Sequence, residues 1–210
     1  MVRIGTWIAL AVLLISCQNE SHPAFSPVPS PSPHISPAAA ILQSSEVPST
    51  LNACVGSNQP IDVYVSVMSG FDTTTGERLG VYWNELVAAG ASAGAISVYA
   101  ADPIACSAEL GAASVPALAS VVIRFEDAGQ ADRAWQAGVF GFTPPAAAQL
   151  QAGMTRGAPT GLGLSSFTYQ RPSVRLATWR RNFYVALVLA TNLDAGTFTA
   201  ATALINARLN

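Results

Sequence analysis

Residues 174–191 read VRLATWRRNFYVALVLAT, two apolar-rich runs on either side of Arg181-Asn182. Side chains alternate across a strand, so Arg175, Ala177 and Trp179 point one way and Val174, Leu176 and Thr178 the other. Asparagine suits a tight connection between strands. Residues 174–180 and 183–191 are therefore expected to be strands joined at Arg181-Asn182, with Trp179 opposite Tyr184. A link this short can join only antiparallel neighbours.

Working outward, 164–170 reads as a further strand behind the glycine-rich stretch 153–163. Residues 61–68 (IDVYVSVM), 95–100 (AISVYA) and 117–126 (ALASVVIRFE) are expected as earlier strands. Thr74-x-x-Glu77 has the form of a capping box, and Leu79, Tyr82, Trp83, Leu86 and Val87 then share one helical face up to Gly90. Asp102-Pro103 opens a short helix through Cys106 to Gly111, and Thr143-Pro144 opens another that ends at Gly153. Asp127 with Gln130 caps a helix through Trp135. Asp194 or Thr197 opens the last helix, with Phe198, Ala201, Ile205 and Leu209 facing inward. Turn-linked late strands and interspersed helices predict an α+β fold. Its sheet is mostly antiparallel, with helices packed mainly on one face.

Composition narrows the chemistry. Charged residues make up 10% of the chain, net charge is −2, and every basic side chain is an arginine. A chain with this balance has no global field to recruit nucleic acid. Both histidines, His22 and His34, precede residue 51. The segment 51–210 therefore has no Ser-His-Asp triad, no Cys-His pair and no histidine-ligated zinc. Without lysine there is no Schiff base, and GAPTGLG at 157–163 is not a phosphate-binding P-loop. No cofactor is implied. Glu126 and Asp127 leave open a hydrolase built on carboxylates alone, which needs two of them facing one cleft. The competing reading makes Asp127 a helix cap and Glu126 a solvated strand end.

Four of the ten arginines fall at 171, 175, 180 and 181, with no acid among them. Arg175 and Arg181 beside Trp179 and Tyr184 form a candidate surface for an anionic or aromatic small ligand, or for an envelope protein. The alternative is ordinary packing of arginine on tryptophan. Ala186, Val188 and Ala190 share that face and suggest partial cover.

The N-terminus is the most specific part of the chain. Arg3 precedes an apolar run from Ile4 to Ile15, too short for a permanent membrane-spanning helix and laid out like a secretory signal. Leu14-Ile15-Ser16-Cys17 resembles the lipobox of bacterial lipoproteins. The resemblance implies cleavage before Cys17, a diacylglycerol thioether on its sulfur and acylation of the new amine. Residues 1–16 are then the signal, and Cys17 is the link to a membrane. Gln18 after the cysteine implies the outer membrane in a diderm organism. With Cys17 lipidated, Cys54 and Cys106 remain as an even pair, and export into an oxidising space makes a disulfide their expected state.

Residues 17–50 are rich in proline and serine and are expected to be a disordered tether reaching up to roughly 100 Å. Residues 51–210 are then a single globular domain. The function this predicts is a lipid-anchored, extracytoplasmic binding or interaction module without catalytic activity. An assembly accessory of an envelope complex is the second reading.

Overall fold

The computed structural model describes residues 34–102, 106 and 115–210. The expected signal segment, Cys17 and most of the expected 102–111 helix lie outside the described residues. Residues 34–210 form one compact unit, an α+β fold around an eight-stranded sheet in which every neighbouring pair is antiparallel.

The strands are β1 (Asn52–Ala53), β2 (Gln59–Pro60), β3 (Ala91–Ala100), β4 (Ala117–Phe125), β5 (Met154–Arg156), β6 (Ser166–Gln170), β7 (Val174–Arg181) and β8 (Tyr184–Thr191). Their order is β1-β3-β4-β8-β7-β6-β5, and β2 also pairs with β3. The last four form a meander whose final strand inserts beside β4. All eight residues of β8 are buried, because both faces of the sheet are covered. That explains its unbroken apolar run, since a strand wet on one side alternates.

Helices α2 (Ile61–Phe71), α3 (Thr73–Ala88) and α4 (Ala128–Ala137) cover the first face. There Tyr64, Met68, Leu79, Leu86 and Trp135 meet Ile96, Val121, Ile123 and Leu187. The short α1 (Pro37–Ala40) and α5 (Ala195–Arg208) belong to the second face. Phe198, Ala201 and Ile205 of α5 share a core with Tyr99, Leu118, Val122 and Trp179.

Five sequence expectations are corrected. Residues 61–68 are helical, not a strand. The alternation of Ile61, Val63, Val65 and Val67 is real, but burial follows Ile61, Tyr64 and Met68, the spacing of one helical face, and leaves Val63 exposed. The cap of α3 is Asp72, not Thr74: Asp72 Oδ1 accepts the Thr75 N–H at 3.2 Å. Between α2 and α3 the backbones touch at Gly76, where a Cβ would lie 2.4 Å from the Ser69 Cα.

The helix expected at 143–153 shrinks to a single 3-10 turn, Ala147–Gln149. Pro144 is followed by Pro145, which pushes residue 144 out of the helical region. The β7–β8 turn falls on Asn182-Phe183, one residue later than expected, and pairs Arg181 with Tyr184 and Trp179 with Ala186. Asn182 takes the left-handed conformation, φ +53°, which asparagine tolerates better than arginine.

The fifth correction concerns the tether. Residues 34–50 belong to the folded unit. Ala40, Ile41 and Leu42 are fully buried, and the Leu42 N–H donates to Ser120 Oγ at 3.0 Å. The alternating polar composition of this stretch hides a short apolar plug, AAAIL at 38–42, which fills the space beside α5. The expected α4, α5 and late strands form close to their sequence bounds. Asp127 and Asp194 cap the two helices by accepting the Gln130 and Thr197 N–H groups at 2.8 and 2.9 Å.

Candidate functional site

The arginine–aromatic face is not an open surface. Trp179 is 0% exposed and Tyr184 3%, both in the layer covered by α5 and the 34–42 segment. The Tyr184 hydroxyl donates to the Ile35 carbonyl at 2.6 Å. Arg175 donates to the carbonyls of Pro172 and Leu193, and Arg181 Nη2 to Asn206 Oδ1 at 3.1 Å. The two aromatic side chains are core, and both guanidinium groups are held by neighbouring elements. The four residues expected to bind a ligand instead fix the β7–β8 hairpin under its covering layer.

The carboxylates of the alternative reading also have structural positions. Asp127 is the α4 cap, and Glu126 is an exposed strand end whose N–H donates to Gln130 Oε1 at 3.2 Å. Cys54 and Cys106 are joined in a disulfide, their Cα atoms 5.6 Å apart. It closes the end of the sheet where Ala53 pairs with Tyr99. A small apolar recess of about 130 Å³ lies beside it, flanked by Val55 and Phe71.

A larger groove, about 240 Å³, opens where α3 and α4 end. α3 supplies Tyr82, Glu85 and Leu86, its cap supplies Ala89, and α4 supplies Ala134 and Ala137. The turn that follows α4 closes the far wall with Phe140, Gly141 and Thr143. The Tyr82 and Phe140 rings meet edge to face, centroids 6.2 Å apart.

The turn is tightly specified. Gly138, Phe140 and Gly141 all have positive φ, at +114°, +49° and +78°. A Cβ on Gly141 would lie 2.9 Å from the Tyr82 hydroxyl, so glycine lets the turn approach the ring. Phe140 has no such exemption. A bulky side chain in the left-handed region costs about 1–3 kcal/mol and persists only where the surroundings impose it. Here Val139 and Phe142 bridge each other, and Thr143 Oγ1 donates to the Ala137 carbonyl at 3.1 Å. The result pins an aromatic ring against the groove.

Polar groups in the groove are few and available. Among the described residues, the Glu85 carboxylate and the Tyr82 hydroxyl have no hydrogen-bond or ion-pair partner. Glu85 is exposed at the rim. Tyr82 and Leu86 were legible from the sequence as one helical face. Phe140 and Glu85 were not singled out, although the paired glycines of GVFGF at 138–142 are a signal for a positive-φ turn. Among the described residues no group of three or more histidine, cysteine, aspartate or glutamate side chains could hold a metal ion, and no helix is long and apolar enough to cross a membrane.

No protein-family model matches the chain, and no curated protein and no solved structure matches it either.

Proposed function

We propose that this protein is a lipid-anchored, extracytoplasmic binding module without catalytic activity, and that the groove between the ends of α3 and α4 is its binding site. The observation that carries the reading is the groove itself. It joins a concave apolar wall to two unpartnered polar groups, and a strained aromatic turn holds it in shape. The lipobox-like Leu14–Cys17 supports the anchor, with Cys17 as the acylated residue. A disulfide at Cys54–Cys106 agrees with an oxidising compartment. With residues 34–50 belonging to the unit His34–Asn210, the proposed tether is residues 18–33, and its reach is about 50 Å in extended form.

Two experiments test this. Cys17→Ser should release the exported protein from membranes; unchanged membrane retention rejects the anchor. For the groove, native mass spectrometry of protein purified from its own envelope should detect a bound small molecule. Ala137→Phe, which fills the groove from an exposed helix position, should abolish that adduct. An adduct of equal abundance in the variant removes the groove from the proposal.

The assembly-accessory reading draws on a different place. Phe71 is 60% exposed and Val55 61%, and both border the recess beside the disulfide. A permanent partner would cover these side chains. Charged substitutions at both positions should then lower the protein's abundance in the envelope without changing its stability when purified.

A further inference from the structure

The shape of the groove indicates a small ligand, and its charges indicate a sign. We infer that the groove takes a primary alkylammonium group. The ammonium would meet Glu85, and the alkyl part would lie along Leu86, Ala137 and Phe140. This rests on the reading of the groove as the binding site, and it adds the chemical class of the ligand.

Three observations set the sign. First, the lining includes one ionised side chain, the Glu85 carboxylate, and no basic residue. Second, two helices end there. The last turn of α3 contributes Glu85 and Leu86, the last turn of α4 contributes Ala137, and neither turn holds a basic residue. A helix C-terminus carries roughly half a negative charge on its free carbonyls. Natural sequences commonly place lysine or arginine there, and here two such ends face one groove without a cation. Third, two aromatic rings, Tyr82 and Phe140, line the groove, and the face of such a ring attracts a cation.

The kind of cation follows from the polar groups. The Glu85 carboxylate and the Tyr82 hydroxyl oxygen can accept hydrogen bonds, and a primary ammonium has three N–H donors to offer. A quaternary ammonium has none and would make only the charge contact with Glu85. The volume of about 240 Å³ lies below the ~300–1,000 Å³ range of drug-sized sites. A short alkyl chain fits, whether it belongs to a free amine or to a lysine side chain.

The test is isothermal titration of the mature, acylated chain in non-ionic detergent with n-butylammonium, n-butanol and butyrate. n-Butylammonium should bind saturably, with the alcohol and the acid at least tenfold weaker. Glu85→Gln should weaken n-butylammonium at least tenfold, as expected for loss of a charged hydrogen-bond partner, and leave n-butanol unchanged. Nα-acetyl-lysine amide should bind like n-butylammonium if lysine side chains are the source, and at least tenfold more weakly if only free amines fit; either result keeps the ammonium class. Equal or tighter binding of n-butanol or butyrate overturns the ammonium inference and leaves the groove standing as a binding site. Failure of all three probes while Ala137→Phe still abolishes the envelope-derived adduct does the same. Glu85→Gln binding n-butylammonium as tightly as the unaltered chain also overturns it.

Discussion

Arg208, in the last turn of α5, forms an ion pair with Glu46 and donates to the Ile41 carbonyl at 2.9 Å. This one side chain closes the N-terminal segment onto the C-terminal helix. It also satisfies the Ile41 carbonyl, just past the end of α1 and within the apolar plug.

The 34–50 segment is therefore part of the folded domain. Leu42→Ala or Ile41→Ala, each removing a fully buried side chain, should destabilise the protein by about 2–5 kcal/mol. A urea midpoint measured on each variant checks this. Midpoints within error of the unaltered protein would place the segment outside the core.

Acid should weaken the same closure. Burial acts to raise the Glu46 carboxyl, but the Gln43 N–H and the Arg208 guanidinium outweigh it and hold the pKa below the usual carboxylate value. Asp72 and Asp194 are also lowered, chiefly by hydrogen bonds from Thr75 and Thr197. A carboxyl with a depressed folded-state pKa stabilises fully above its unfolded pKa, about 4, and the gain is lost as pH falls through the folded value. Stability should be flat above about pH 5 and decline below about pH 4. Glu46→Gln should make that decline shallower; an identical pH profile would remove Glu46 from the linkage. At the alkaline end, burial pushes the Tyr64 phenol up to about 12, so stability should fall again from about pH 10 as the unfolded chain ionises first.

Two glycines in the α2–α3 pair should respond in opposite directions. Gly70 in α2 faces open space, with nothing within 4 Å of an added Cβ. Gly70→Ala should stabilise by about 0.5–1 kcal/mol through the unfolded state. Gly76 packs against the Ser69 backbone, and Gly76→Ala should destabilise by about 1–3 kcal/mol. Thermal midpoints moving in the same direction for both would refute the close α2–α3 contact.

The disulfide spans 52 residues. On chain-entropy grounds its removal should cost about 4 kcal/mol. Cys54→Ala with Cys106→Ala, compared in urea with the oxidised protein, measures the difference. A loss under about 1 kcal/mol would mean that the closed loop is already ordered when unfolded.

The late meander was readable because its signals are local. Alternation, a turn residue and a helix cap all lie within a few positions of one another in 164–208. The helix at 61–71 looks like a strand in sequence because Ile61, Val63, Val65 and Val67 satisfy alternation. The decision rested on Tyr64 and Met68 finding the sheet, a long-range fact. The Arg175–Trp179–Tyr184 face failed as a site for the same reason: residue spacing does not reveal that a distant N-terminal segment and α5 lie on top of it. The groove is less legible still. Glu85 and Phe140 are far apart in sequence and become neighbours only when two helix ends meet.

The clasp between Arg208 and Glu46 also sets an order of events. A chain is synthesised from its N-terminus, so Ile41 and Leu42 emerge long before α5, the helix that shares their core layer. That helix is the last of the domain's described elements in chain order. Until it leaves the ribosome, the second core layer stays open and its apolar residues stay exposed. A nascent chain built this way has to be kept from closing wrongly, and its second core layer is completed only after α5 has emerged.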